Sequence, residues 1–466
     1  MRNFSHNRQL SVGFISLGCA KNLVDSEVIA DDLLRAGFKL AGTPEGSDIL
    51  IINTCAFIAD AKKEAIDAIL NACALKQKGT PGLIIVAGCL PQRYRQELQS
   101  LFPDVDAFIG VDQVTGVASV IRRLLNGKKG RHGIIEITPN PRAVVNPPPD
   151  RLLFTGAPYA YLKIAEGCDH WCTYCTIPQI RGRYRSRPIA GIVKEAEAHL
   201  GRGIRELNLI AQDVTFYGHD LGGKNNLPNL LRQIGGIGGE FWIRLLYGHP
   251  DHVGDDLLAA MAEVPQVCRY LDLPIQHCSE KILRRMGRGG NEDKLRALFG
   301  RIREKMPDIT LRTTCLVGFP GETDYDFRCL LNFIEATGFD HLGVFVFSEE
   351  EGTKAAELAQ KVSRSLARQR KDMLMRCQQK IVARKLTETI GRIEEMFVEK
   401  PKGRTKHAWV ARSRRQAPDI DNAVYLSDHA ASCSLGMFVK ARYVKVRGYD
   451  MVAEAVDSSL NNESGQ

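Results

Sequence analysis

The chain has 466 residues, 44% of them hydrophobic, and a formal net charge of +9, enough to bury cores for roughly two to four domains. It holds no apolar run of about 18 residues, and its opening MRNFSHNRQLS has no apolar segment, so neither a membrane span nor a signal peptide is expected and the protein is placed in the cytoplasm. The positive charge permits an anionic partner such as RNA without requiring one, and 13 cysteines in an unexported protein favour metal binding or catalysis over disulfides.

In chain order, Ser11 to Leu17, Ile49 to Asn53 and Leu83 to Ala87 are short β-branched runs that read as buried strands. Amphipathic helices are expected between them, over Asp25 to Ala36 and Ala59 to Leu75, which implies a parallel sheet with right-handed crossovers. Thr138 to Asp150 (TPNPRAVVNPPPD) reads as an extended linker and the first domain boundary. The strand–helix alternation then resumes, with strands at Tyr159 to Ile164, Glu206 to Ala211, Trp242 to Leu246, Tyr270 to Leu273, Thr310 to Val317 and Leu342 to Val346. Six βα units or more predict a complete or partial barrel with its site at the strand C-termini. A long charged helix over Ser363 to Leu386 follows, then strands at Arg392 to Val398 and Met437 to Val446, suggesting a small all-β module.

The segment GCDHWCTYC places Cys168, Cys172 and Cys175 on one loop with x3 and x2 spacing, just past a predicted strand end. Three thiolates so placed suit a cubane iron–sulfur cluster and leave its fourth iron free for a substrate. A zinc site with His170 as fourth ligand is the competing reading, but zinc ligands usually come as two separated couples. A ferredoxin loop would begin with x2 rather than x3. Cys19, Cys55 and Cys89, 36 and 34 residues apart, each follow a predicted strand end. Parallel strands place such positions along one sheet edge, so the three either converge on a point or are small buried hydrophobes.

The three-cysteine loop, with the aromatic Tyr174 before its last cysteine, resembles that of the radical S-adenosylmethionine superfamily. The resemblance implies a [4Fe–4S] cluster on the catalytic Cys168, Cys172 and Cys175, whose open iron chelates S-adenosylmethionine and cleaves it to a 5′-deoxyadenosyl radical. It places Tyr174 beside the adenine. Val317-Gly-Phe-Pro-Gly-Glu322 is similar to the family's glycine-rich cofactor contact, which nominates Gly318, Gly321 and Glu322; taken alone, the segment could be an ordinary turn. The N-terminal region resembles that of the methylthiotransferases, in which cysteines placed as Cys19, Cys55 and Cys89 hold a second [4Fe–4S] cluster, and a TRAM β-barrel closes the chain. The implied fold class is α/β: a Rossmann-like parallel-sheet domain over 10–137, a Pro-rich linker over 138–153, a TIM-type (βα) radical core over 154–376, an all-β TRAM barrel over 377–457 and a disordered tail over 458–466. Cys73, Cys268, Cys278, Cys315, Cys329, Cys377 and Cys433 match no ligand position and are read as structural.

Within that family, Leu17-Gly-Cys-Ala-Lys-Asn-Leu-Val-Asp-Ser-Glu27, Asn53-Thr-Cys-Ala-Phe-Ile58, Gly88-Cys-Leu-Pro-Gln-Arg-Tyr94, Ala211-Gln-Asp-Val-Thr215 and Glu350-Glu-Gly-Thr353 resemble the RimO branch, with Ala20 where proline is usual. That branch implies methylthiolation of the β-carbon of one aspartate in small-subunit ribosomal protein S-twelve, on or near the subunit. The alternative is the branch acting on adenosine in transfer RNA. An electron donor such as flavodoxin or ferredoxin and a sulfur source are implied as further partners. From Cys377 to Asp457, 15 Lys or Arg face 10 Asp or Glu, a net +5 that could grip RNA near Trp409 and Tyr425 or be a solvated surface. Arg181-Gly-Arg-Tyr-Arg-Ser-Arg-Pro188 reads as cofactor- or substrate-binding arginines or as an exposed basic loop.

Overall fold

Three strands apolar on both faces organise the first sheet. In the computed structural model, which describes residues 9–127, 133–401, 409–427 and 433–456, β1 (Ser11–Ser16), β2 (Lys39–Leu40), β3 (Ile49–Thr54), β4 (Leu83–Gly88), β5 (Ala107–Ile109) and β6 (Ile134–Glu136) are parallel neighbours in the order β2-β1-β3-β4-β5-β6. Ile49, Ile51, Ile85 and Ala87 enter a core with Val28, Ile29 and Leu33 of helix α1 (Ala20–Arg35). Their alternates Leu50, Ile52, Ile84 and Val86 enter a second core with Ile69 and Ala72 of α2 (Ala59–Gln77), as the period of two requires for a sheet covered on both faces. Helix α1 begins at Ala20 rather than Asp25. Its first turns bury polar side chains (Lys21, Asn22, Asp25, Ser26 and Glu27), so hydrophobic periodicity could not mark its start.

The linker carries no regular element between Glu136 and Tyr159, yet it is anchored. The fully buried Arg151 pairs with Glu27 at 3.0 Å and with Glu195. Beyond it come β7 (Tyr159–Lys163), the short antiparallel pair β8 (Ala165–Glu166) and β9 (Arg185–Ser186), then β10 (Glu206–Ile210), β11 (Trp242–Leu246), β12 (Val267–Asp272), β13 (Thr310–Val317) and β14 (His341–Val346). The six long strands run in parallel in the order β14-β13-β12-β11-β10-β7 and stay open, so the expected barrel is a partial one. Strand β12 starts at Val267, ahead of the predicted Tyr270, and the exposed Arg269 interrupts the apolar run that would have revealed it.

Helix Arg364–Thr389, capped by the Ser363 side chain accepting from the Leu366 N–H, leads to β15 (Ile393–Pro401), β16 (Trp409–Ser413), β17 (Val424–Leu426), β18 (Phe438–Arg447) and β19 (Asp450–Ala455), a closed barrel in the order β15-β16-β17-β19-β18. It docks on the central sheet near the strand starts. Trp242 packs between Phe397 and Phe438 with ring centroids 5.8 and 5.0 Å away, and Arg412 meets Glu206 at 2.6 Å. Of the Arg412, Arg414 and Arg415 run, Arg412 is buried against Glu206 of the core, while Arg414 and Arg415 stay partly exposed at the rim and pair with Glu395 and Glu394 of β15, so one cation of the module's basic surplus points inward. The tail expected over 458–466 lies outside the described residues. Among the described residues, no helix is long and apolar enough to cross a membrane.

Candidate metal centres

Chain order reverses across β2-β1-β3, and ligand crevices of open α/β sheets form outside the strand C-termini at such a reversal. Cys19 follows β1 there and precedes α1 directly, Cys55 follows β3, and Cys89 opens helix α3 (Cys89–Tyr94). Gly18 has φ +92°, and a Cβ on it would lie 2.7 Å from the Cys55 Cβ, so only glycine lets the two loops meet so closely. Asn22 ties both strand ends, donating to the Leu17 and Thr54 carbonyls at 3.0 and 2.9 Å. The three thiols lie near enough to act on one another electrostatically. Cys19 is exposed and Cys89 buried. Burial pushes the Cys89 thiol up to about 12, against the opposing pull of Arg181.

The second trio sits past β7. Gly167, at φ +82°, passes so close to the Arg183 carbonyl that a Cβ would stand 2.1 Å from its oxygen. The Cys168 N–H donates to Gly182 at 3.1 Å, Cys175 N–H to Cys172 at 3.0 Å, and Thr173 N–H to Met286 at 2.9 Å. Burial pushes Cys168 up to about 12 and raises Cys175, and the neighbouring Cys172 acts on both in the same direction. Arg288 lies 3.9 Å from the Cys172 sulfur. Tyr174 sits edge-on to Phe319 with centroids 6.3 Å apart, which joins the cysteine loop to the glycine-rich turn.

In that turn the buried Glu322 carboxylate accepts from the Gly318 N–H and, at 3.2 Å, from the Phe319 N–H, with Arg370 3.4 Å away. Gly318 (φ +75°) abuts Ala367, and Gly321 (φ +85°) abuts the Arg285 guanidinium. The side chain of Glu322 therefore braces the turn from within.

His170 is turned away from the cysteines. Its Nε2 meets Asp213 at 2.9 Å and its ring stacks on His249 at 4.2 Å, while His252 reaches the same Asp213 oxygen at 2.8 Å. No motif read from the sequence marked this histidine cluster as a whole; the GCDHWCTYC and Ala211-Gln-Asp-Val-Thr215 segments held two of its parts, His170 and Asp213. Among the described residues, the one trio of candidate ligand atoms all within 4.8 Å of one another is that of His170, His249 and His252. Neither cysteine trio is drawn in so tightly, whereas thiolates around one tetrahedral zinc stand about 3.8 Å apart. Both trios thus fit a larger cluster better than a single ion.

Between the trios lies an ionic knot. Arg181 donates to Asp25 at 2.7 Å, to Glu166 at 3.2 Å, to Asn22 at 2.5 Å and to the Cys89 sulfur at 3.3 Å. Lys163, at the end of β7, joins Asp25 and, at 2.7 Å, Glu166. Burial alone would raise the Glu166 carboxyl, but Arg181 and Lys163 hold it well below the usual carboxylate range. Of the arginine-rich segment only Arg183 is largely exposed; Arg181 is buried here, and Arg187 is buried against Glu195 at 2.7 Å.

Three family models match the chain: Uncharacterized protein family UPF0004 over residues 11–110, the Radical SAM superfamily over 162–334 and the TRAM domain over 390–456. A protein of Geobacter sulfurreducens named ribosomal protein uS12 methylthiotransferase RimO is 44% identical over 97% of this chain and 99% of its own length. Relatives of the same name in Syntrophus aciditrophicus and Acetivibrio thermocellus are 43% and 41% identical, over 97% and 96% of this chain and 99% of each relative. Among solved structures, the radical S-adenosylmethionine methyltransferase TsrM of Kitasatospora setae superposes with a TM-score of 0.55 at 13% identity, covering 72% of this chain and 73% of that one. The cobalamin-dependent radical enzyme OxsB gives 0.52 at 14% identity, with 80% and 57% covered. These two likenesses concern the fold.

Proposed function

The chain belongs to the RimO family of ribosomal protein uS12 methylthiotransferases, within the radical SAM superfamily, and on that premise we propose that it adds a methylthio group to the β-carbon of one aspartate in ribosomal protein uS12. It is a radical SAM enzyme, and its superfamily uses a [4Fe–4S] cluster and S-adenosylmethionine. Bound together, these supply the carbon radical that opens an unactivated C–H bond, chemistry beyond any side-chain acid or base.

We assign that cluster to Cys168, Cys172 and Cys175, and a second one, the sulfur-carrying centre, to Cys19, Cys55 and Cys89. The observation that carries the assignment is the single buried knot of Arg181, Lys163, Asp25 and Glu166, which bonds Cys89 of the first trio to the segments on either side of the second, Glu166 just before Cys168 and Arg181 just after Cys175. A reaction that removes hydrogen at one centre and delivers sulfur from another needs both held at a fixed separation. Tyr174 and the backbone of Gly318 and Gly321 are assigned to the S-adenosylmethionine site, and Glu322 to holding that turn. The domain limits 10–137, 154–376 and 377–457, with the linker 138–153, are proposed on the same basis. Ribosomes place the reaction in the cytoplasm, with flavodoxin or ferredoxin as reductant, a separate sulfur donor, and the TRAM barrel as the point of RNA contact.

Anaerobic reconstitution tests the cluster assignment: about eight irons per chain are expected, and a Cys168→Ala, Cys172→Ala, Cys175→Ala triple variant keeps about half. Full iron in that variant, or zinc alone in the wild type, overturns it. Mass spectrometry of ribosomal protein uS12 from cells lacking the enzyme tests the substrate. A lost methylthio group on one aspartate supports it; an unchanged protein together with altered transfer-RNA adenosine refutes it.

A further inference from the structure

The first turn of α1 carries a cation into the junction of the two cysteine-bearing domains. Lys21 is only 8% exposed, yet its ammonium has no carboxylate within ion-pair distance and no hydrogen-bond acceptor among the described residues. It stands instead 3.2 Å above the centre of the Tyr247 ring. An ammonium on so largely buried a side chain, held only by a ring face, is unusual in a fold, because taking a charge even partly out of water without a counter-ion is unfavourable. The neighbouring cations Lys163 and Arg181 are by contrast matched to Asp25 and Glu166.

Tyr247 is itself specially held. It follows β11 directly, at the C-terminal rim of the central sheet, and its φ is +67°, a conformation that strains a bulky residue and concentrates at functional sites. Its N–H donates to Asp272 at 3.1 Å and its carbonyl accepts from Val214 at 2.9 Å, which fixes the backbone that carries the ring. The ionisable groups within electrostatic reach of Lys21 are Cys19, Arg181, Glu166 and Asp272, which belong to the first trio, the knot and the end of β12.

We infer that Lys21, resting on the Tyr247 ring, receives the side-chain carboxylate of the substrate aspartate. The inference rests on the reading of an aspartate substrate given above. The carbon that reacts is bonded directly to that carboxylate, so any pose presenting the carbon between the two centres also brings an anion into this buried junction. Such an anion needs a cation with donors to offer. Arg181 is committed to four partners, and Lys21 is not. The same charge disfavours a neutral group in that position, which gives the site a preference for carboxylate over amide or nucleobase.

The test uses reconstituted holoenzyme and two synthetic peptides spanning the target residue, one with aspartate and one with asparagine there. Wild-type protein is expected to bind the aspartate peptide about tenfold or more tightly. Lys21→Met should bring the two affinities together, and Lys21→Arg should keep the preference, with iron content reporting intact folding of each. An undiminished aspartate preference in Lys21→Met, or its loss in an iron-loaded Lys21→Arg, overturns the inference. Failure of wild-type enzyme to bind or modify either peptide is a different result, which removes the substrate reading and the inference with it.

Discussion

The Arg181 guanidinium donates to the Cys89 sulfur at 3.3 Å, so an arginine of the central domain touches a cysteine of the first. Its other donors hold Asp25 and Glu166. Arg181→Met leaves those two buried carboxylates with Lys163 as their remaining cation, and breaking such a network costs about 3–5 kcal/mol. A lowered urea midpoint is expected. The loss of an N–H···S bond should also lower the reduction potential of a cluster on Cys89, read by protein-film voltammetry. An unchanged midpoint would remove the knot from the account of stability.

Glu195 should contribute to acid sensitivity. Burial alone would raise its carboxyl, but Arg187 and Arg151 hold it down, to about 2 from the usual 4.5. A folded value below the unfolded one stabilises the protein at pH above 4.5, and that contribution is lost as pH falls from there towards 2. Glu195→Gln is expected to be less stable at pH 7 and to show a flatter stability profile below pH 4.5, measured by urea unfolding across that range.

Gly318 and Gly222 make a matched pair. Both have positive φ, +75° and +69°, but a Cβ at Gly318 would lie 2.4 Å from the Ala367 Cβ while Gly222 faces open space. Gly318→Ala therefore combines backbone strain with overpacking, about 2–5 kcal/mol in all, and should weaken S-adenosylmethionine binding in equilibrium dialysis. Gly222→Ala should cost only about 1 kcal/mol and leave that binding intact.

Arg412 couples the small barrel to the core. It pairs with Glu206 at 2.6 Å and with Glu399, both buried. Arg412→Met strands those carboxylates, with Arg244 as the one remaining cation on Glu206. A single cooperative calorimetric transition in the wild type is expected to separate into two in the variant, as the barrel loses its grip on the core.

Much of this architecture was legible because it obeys short-range rules. The apolar runs at Ile49 and Leu83 announced both-face-buried strands, and the loop of Cys168, Cys172 and Cys175 carries its ligands within eight residues of sequence. The approach of Cys19, Cys55 and Cys89 needed the topology, since only the adjacency of β1, β3 and β4 brings their loops together. Less visible were the polar contacts between domains. Arg181 finds Asp25 across 156 positions, and nothing in the basic segment around it distinguished that buried arginine from the exposed Arg183. The barrel strands β16, β17 and β19 also went unread, because β17 is three residues long and β19 (DMVAEA) alternates too weakly to stand out.

The inward turn of Arg412 bears on how tightly the small barrel would hold RNA. Affinity for nucleic acid is largely counterion release, and it grows with the number of phosphates neutralised. An arginine buried against Glu206 and Glu399 displaces no counterion. The log–log dependence of RNA affinity on salt should therefore be shallower by about 0.7–0.9 than the barrel's composition suggests.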